Sequence, residues 1–576
     1  MSGPVFDRCE LTAFLRKRAE GFLAGYRQNL ALLGSEGMGK TAFLKNFLRN
    51  DLPQRHLLMP IYLEMLGEEN LVEWSARFVQ TLLYAVLQLQ GAETFPAGLA
   101  DLLKVCSASV PKTAVLAARV LDLAESGKSD EAYSQLWDLP QLATQETGHR
   151  VLLVLDEFHR LRSLPVREPF RSLGRRIMTQ GSTMFLVVSS ELGVARSILK
   201  EGLALLFGQF ETIEVCALSA ASCRKAIRAV WPEGKADSSL EHVLMELAQG
   251  HPHRLSLLLE AMEGIGLAHH PDDPELFVVG LLEGLFLNPQ SVLRQQFEAR
   301  LRSLPAHRSR SFWIQVLGVV AGGTHRFPHI VKVLGRSSSQ VSRALRVLQE
   351  ARLIVKQGIF YEVPERLFQL WILTAHPVLQ GVGLIGPAQA SHHFREVTGT
   401  WLRKVQGAIR QPVAEQVAEL VRHWQDELAE VEGRRILLPR FHQVEVVPGP
   451  FDRPSLLARR SAKQKSGWWV VLWDGPLEEG QARQLVQQLR NFFPFKKYRK
   501  VVIGTQAIEV NARLVMQEGR VRLWDLQVLN SLLDLYGLTR LPVPEEAEPS
   551  PGEAVPVLQG VRVLPDRVTD STEVLG

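Results

Sequence analysis

Cysteine is scarce. The chain has four in 576 residues, Cys9, Cys106, Cys216 and Cys223, and no two stand at a metal-ligand spacing. That scatter excludes a disulfide framework and a cysteine-ligated zinc site. Nowhere does an apolar run approach the ~18 residues of a membrane span, and Met1-Ser2-Gly3-Pro4 shows neither the basic nor the apolar region of a secretory signal. A cytoplasmic protein with no membrane partner is the expectation. Strong charge of either sign is also missing, since 66 basic residues face 61 acidic ones for a formal charge of +5. That balance permits a nucleic-acid partner without requiring one. With 46% apolar and 22% charged residues the composition excludes wholesale disorder. The length predicts about three or four domains.

What is present begins with Leu30-Ala31-Leu32-Leu33, a short apolar run with the flanks of a buried parallel strand. It leads into Gly34-Ser35-Glu36-Gly37-Met38-Gly39-Lys40-Thr41, which fits GxxxxGK[ST], and then into the amphipathic stretch Ala42 to Leu48. Each position has a chemical reason. Glycines let backbone N–H groups converge on a β-phosphate at the positive end of the next helix. Lys40 supplies a charge to the β- and γ-phosphates, and the Thr41 hydroxyl is a Mg²⁺ ligand. ATP and Mg²⁺ are the cofactors expected.

A carboxylate for the metal should close a neighbouring strand. Val151 to Leu155 is apolar and ends in Asp156-Glu157. Asp156 is expected to hold Mg²⁺ through water, and Glu157 to polarise the attacking water. Another apolar run, Met184 to Val188, ends in Ser189 and Ser190, which either sense the γ-phosphate or are turn chemistry.

Together Phe6-Asp7-Arg8-x-Glu10-Leu11, the phosphate loop, Asp156-Glu157-Phe158 and Gly250-His251-Pro252 resemble the archaeal-type AAA+/STAND ATPases, relatives of the origin-recognition ATPases. The resemblance spans roughly residues 5 to 375. It implies a P-loop NTPase parallel sheet with a helical lid, and a nucleotide-contacting set of Arg8, Gly34, Ser35, Glu36, Gly37, Met38, Gly39, Lys40, Thr41, Ala42 and Pro252. Pro252 equally suits a plain helix start. One departure concerns rate. The family's arginine before the fifth strand is Gln209 here, and an arginine at such a place is worth orders of magnitude in phosphoryl transfer. Slow hydrolysis is therefore expected. Arg160, Arg162, Arg167, Arg171, Arg175 and Arg176 read mainly as a solvated helix face. Residues 90–148, rich in Leu and Ala, predict extra helices that offer a surface to a protein partner.

Residues 291–378 follow a winged-helix pattern: two helices, Gly335-Arg336-Ser337-Ser338-Ser339-Gln340, a third helix, and alternating strands joined at Gln357-Gly358. In that fold the third helix enters the major groove of double-stranded DNA. Ser338, Ser339, Gln340, Ser342 and Arg343 then meet bases or phosphates, and Arg336, Arg346 and Lys356 meet phosphates. An intramolecular lid or a partner dock is the competing reading.

After a linker at 379–390, residues 391–540 resemble in element order a restriction-endonuclease-like α/β domain. Where that resemblance asks for Glu-x-Lys the chain reads Leu472-Trp473-Asp474, so the nuclease is expected to be inactive. Its basic clusters, Arg453, Arg459, Arg460, Lys463, Lys465 and Lys496, Lys497, Arg499, Lys500, either track a phosphate backbone or are solvated surface charge. Residues 541–576, rich in proline and acid, predict a largely disordered tail. The expected whole is α/β: an ATPase core at 1–220, a lid at 221–290, the winged helix and the C-terminal domain. Two functions are compatible with it. One is a DNA-associated ATPase switch of mobile-element, defence or repair machinery, with ATP-dependent self-association possible. The other is a STAND-type signalling scaffold that holds nucleotide structurally and contacts proteins.

Overall fold

The computed structural model describes residues 8–541 and 561–563, except 68, 93, 203–209, 231–237, 266–273, 381–386, 432–433, 462–466, 493–494 and 496. Gln209, Phe6, Asp7, Lys463, Lys465, Lys496, half of the linker and nearly all of the tail thus lie outside the described residues. The chain forms two compact units, one of residues 1–222, 251–254 and 554–576, the other of 223–250 and 255–553.

In the first unit the apolar runs become parallel strands β1 (Asn29–Leu33), β2 (Leu58–Glu64), β3 (Arg150–Asp156), β4 (Thr183–Ser189) and β5 (Phe210–Val215). They lie side by side as β5-β1-β4-β3-β2. A short strand, Val561–Val563, adds antiparallel to β5. Alternation decides which layer each residue feeds. Leu30, Leu32, Leu152, Val154, Leu186 and Val188 pack against helices α1 (Cys9–Leu23) and α2 (Lys40–Asn46). Ala31, Leu33, Leu153, Leu155, Phe185 and Val187 pack on the opposite face with α3 (Leu71–Leu89). Burial on both faces is why β1, β3 and β4 read as unbroken apolar runs, whereas β2 and β5, at the two sides of the parallel set, alternate.

The insertion is helical, as α4 (Leu99–Cys106), α5 (Pro111–Glu125), α6 (Ser129–Leu136) and α7 (Leu139–Thr147). Its inner side is committed to the core. Trp74 of α3 lies 5.4 Å from Phe78, 6.1 Å from Tyr133 and 5.6 Å from Trp137, ring centre to ring centre. Such pairs contribute ~0.5–1.5 kcal/mol each beyond their burial.

In the second unit, helices Arg310–Ala321, Phe327–Leu334 and Ser338–Glu350 precede the antiparallel pair β6 (Val355–Gln357) and β7 (Phe360–Glu362), the element order of a winged helix. Gly335 (φ 60°) ends the second helix, and the Ser337 hydroxyl caps the third by accepting from the Gln340 amide. Helix Pro387–Arg410 packs on Pro274–Leu287 through Phe286 and Phe394, with Arg403–Glu275 and Arg395–Glu283 ion pairs. A domain start at 391 therefore falls inside this helix, whose apolar stripe faces the helical layer.

Beyond it come the hairpin β8 (Glu427–Val431) and β9 (Arg434–Leu438), then β10 (Gln443–Pro448), β11 (Pro454–Arg459), β12 (Gly467–Trp473), β13 (Arg499–Gly504) and β14 (Arg522–Asp525). The last five form one sheet in chain order, antiparallel from β10 to β12 and parallel from β12 to β14. One side chain of this unit joins three of its elements. Arg366 donates to Glu246 at 3.0 Å and to Asp534 at 2.9 Å, and its amide donates to Gln249. Among the described residues no single helix is long and apolar enough to cross a membrane.

Candidate functional site

The loop Gly34–Gly39 joins the C-terminal end of β1 to the N-terminus of α2. Gly37 and Gly39 both take φ 74°, a left-handed conformation that costs side-chain-bearing residues free energy. Gly34 is fixed by space instead: a Cβ there would stand 2.7 Å from the Val215 carbonyl oxygen. Lys40 is buried, and its Nζ donates to the carbonyls of Gly34 at 2.7 Å and Ser35 at 2.9 Å. The ammonium thus completes a ring with the loop it follows. Burial pulls its pKa down, opposed by Glu157, Asp156 and Glu36.

Strand β3 delivers the carboxylates. Thr41 Oγ1 donates to Asp156 Oδ2 at 2.6 Å, and Tyr62 Oη of β2 donates to the same oxygen at 2.5 Å. Asp156 is fully buried. Its other oxygen accepts from the Glu157 amide. Burial and the neighbouring Asp156 charge push the Tyr62 phenol far up, so it stays a donor.

Glu157 sits in a left-handed turn at φ 53°. One of its oxygens, Oε2, accepts from the Ser190 amide at 3.1 Å and the Ser190 hydroxyl at 2.8 Å, with His159 Nδ1 3.3 Å away. Ser189 is fully buried, and its hydroxyl meets His159 Nδ1 at 2.9 Å and the Glu191 amide at 3.1 Å. Burial lowers the His159 pKa, opposed by the neighbouring Glu157 carboxylate. The two serines therefore hold the acid and its histidine in place.

The structure brings the rest of the expected set to the same corner. Arg8 donates to the carbonyls of Met38 and Cys216, both at 3.1 Å, bracing the loop. His251 and Pro252 of the same unit lie against it: the His251 ring meets the Glu36 carbonyl at 3.0 Å, and a Cβ on Gly39 would touch Pro252. The sequence marks neither Tyr62 nor His159, and it gives His251 only as the middle residue of Gly250-His251-Pro252. Tyr62 sits inside a strand, where it reads as core, whereas His251 adjoins Pro252 within the Gly-x-Pro motif and was the more findable of the three.

The eight residues expected at DNA all stand exposed: Arg336, Ser338, Ser339, Gln340, Ser342, Arg343, Arg346 and Lys356. The wing beside them is not free. Gly358 at its tip would place a Cβ 2.8 Å from the Leu428 carbonyl of β8, so the turn rests on that hairpin. At the C-terminal sheet, Asp474 pairs with Arg453, whose guanidinium lies 4.1 Å from the Trp473 ring centre. Phe451 stacks edge-on against Trp473.

No protein-family model and no curated protein matches the chain. Among solved structures it is similar to a Walker-type ATPase of Pyrococcus abyssi, with 16% identity and a TM-score of 0.40 over 64% of this chain and 96% of that one. It is also similar to the ORC2 protein of Aeropyrum pernix solved as ADPNP–ADP complexes, at 14% identity and a TM-score of 0.39, covering 69% and 96%. The ORC1 protein of the same organism, solved in complex with DNA, shows 16% identity and a TM-score of 0.36, covering 66% and 94%.

Proposed function

We propose that this chain binds ATP with Mg²⁺, hydrolyses it slowly, and uses the nucleotide state to govern association with double-stranded DNA. The observation that carries the reading is the 2.6 Å contact between Thr41 and Asp156 beside a buried Lys40 at the start of α2. A hydroxyl and one carboxylate are the donor set Mg²⁺ takes when phosphates and waters fill its other positions. When bound, the ion draws charge from the phosphate oxygens.

The chain's own residues do the remainder. Loop amides and Lys40 Nζ receive the phosphates, the ammonium exchanging two carbonyl partners for phosphate oxygens. Tyr62 keeps Asp156 turned toward Thr41. Glu157 has Oε2 committed to Ser190, which leaves Oε1 to take a proton from the attacking water. Slow turnover is supported by that engaged base and by Gln209 where the resembled family has arginine. Exposed serines and arginines on helix Ser338–Glu350 support a major-groove contact. Mobile-element, genome-defence or repair machinery is the setting we propose, with a nuclease-inactive C-terminal module that contributes binding.

The test is a duplex titration across salt concentrations, with and without ATP, on the parent and Lys40→Ala. The parent should bind duplex with a steep salt dependence that ATP alters. Lys40→Ala should lose ATP affinity on the order of a hundredfold or more. Unchanged ATP affinity in that variant would reject the site, and no duplex binding at low salt would favour the signalling-scaffold reading, to which Gln209 also points.

A further inference from the structure

One end of the C-terminal sheet concentrates positive charge with few acids to answer it. The register sets this up: β11 runs antiparallel to β12, while β12, β13 and β14 run parallel, with Arg459 opposite Gly467 and Trp468 opposite Arg499. Arg460, Lys497, Arg499 and Arg522 therefore gather at the end of the sheet opposite Arg453 and Asp474.

There an open notch of about 350 Å³ is lined by Phe441, Arg460, Trp468, Lys497 and Arg499 among others. That volume lies within the ~300–1,000 Å³ of small-ligand pockets. Trp468 forms its buried floor, packed against Phe441 and Trp424. Arg499 and Arg522 each place a guanidinium 5.8 Å from the Trp468 ring centre. Arg460 has an acid partner, Asp426 at 2.5 Å. Lys497, Arg499 and Arg522 have none among the described residues. Arg522 Nη1 is buried without a hydrogen-bond acceptor, and burial with the nearby Arg499 charge lowers its pKa. A buried guanidinium N–H without an acceptor, close to a second positive charge, is a position that an anion would satisfy.

We infer that this notch binds a backbone phosphate of a nucleic-acid strand, a second contact separate from helix Ser338–Glu350. The inference rests on the proposed association with DNA and adds the place where the C-terminal module meets it. Nucleic acid is favoured because the cations stand along a sheet end, where a strand's phosphates can run, and because guanidinium pairs match phosphate geometry.

The experiment compares full-length parent with Lys497→Glu/Arg499→Glu and, separately, with Arg343→Glu/Arg346→Glu. Binding of a labelled duplex and a labelled single strand is titrated across salt, with ATP binding and melting temperature as measures of folding. The notch variant should lose at least tenfold in affinity for one of the two nucleic acids, flatten its salt slope by about 1.8 on duplex or about 1.4 on single strand, as expected for two lost phosphate contacts, and keep parental ATP binding. Affinity within twofold of the parent in that folded variant overturns the inference. Competition by AMP or by poly-glutamate as strong as that of unlabelled strand, at equal anion concentration, overturns it too, since it would mean a mononucleotide site or an acidic-protein surface. Loss only in the Arg343/Arg346 variant sinks the notch while sparing the proposed function, whereas absence of any nucleic-acid binding by the parent sinks both. If the notch variant itself melts early, Arg499→Gln with Lys497→Gln supplies the same reading without charge reversal.

Discussion

Asp156 Oδ2 takes hydrogen bonds from two hydroxyls, and the pair divides the labour. Thr41 is the metal's ligand in our reading, while Tyr62 restrains the acid. Tyr62→Phe should therefore leave ATP binding without metal unchanged and weaken Mg²⁺-dependent binding about ten- to a hundredfold, the range of one hydrogen bond to a charged group. Titrations with EDTA and with Mg²⁺ check this; equal loss in both would show that the phenol supports the loop instead. Glu157→Gln should bind ATP as the parent does and stop phosphate release. Persistent turnover in that variant would assign the base elsewhere. Lys40, Thr41 and Asp156 were legible because phosphate chemistry forces their spacing, and the 2.6 Å contact joins residues that the sequence could only name separately. Tyr62 and His159 were not legible. A tyrosine within an alternating strand and a histidine two places past an acid carry no signature until the strands are laid side by side.

Among elements, β1, β3 and β4 of the first unit are readable because burial on both faces leaves continuous apolar runs, while β2 and β5, with alternating burial, are not. β11 was not, because Arg453 and Arg459 at its ends drew attention as a charge cluster while Leu456, Leu457 and Ala458 are only a brief apolar centre. The helix Ser338–Glu350 buries Val341, Ala344, Leu345 and Leu348 and leaves its polar side outward, as its 3.6-residue period requires. What its period cannot reveal is that the neighbouring wing leans on β8. On the proposed reading, this module meets DNA through the helix. Arg343→Glu/Arg346→Glu should reduce duplex affinity at least tenfold with melting temperature unchanged, whereas Ile359→Ala at the wing should alter affinity less than twofold. A filter-binding assay at fixed salt separates the two.

For the molecule as a whole, pH acts through a polar cavity lined by Gln249, His325, Glu362, Arg366, Asp534 and Arg540. Burial, with Asp534 nearby, pushes Glu362 up to about 7 from an ordinary 4.5. The native state then binds more protons than the unfolded state between about 4.5 and about 7, so this group's contribution to stability falls as pH rises through that window. His325, held below its ordinary 6.5 by burial, acts in the opposite sense, its contribution falling as pH drops below 6.5. Glu362→Gln isolates the first effect: the variant should melt higher than the parent at pH 8 and show little advantage at pH 4.5. An equal shift at both values would mean the gain is packing.

Arg366 gives that cavity a mechanical meaning. Because one guanidinium grips Glu246 and Asp534 from its own helix, helix Ser238–Ala248 and helix Leu526–Leu535 are pinned to a common post. Arg366→Met would replace a rigid linkage with a universal joint: the pieces would still fold, but protease would find the seam between them.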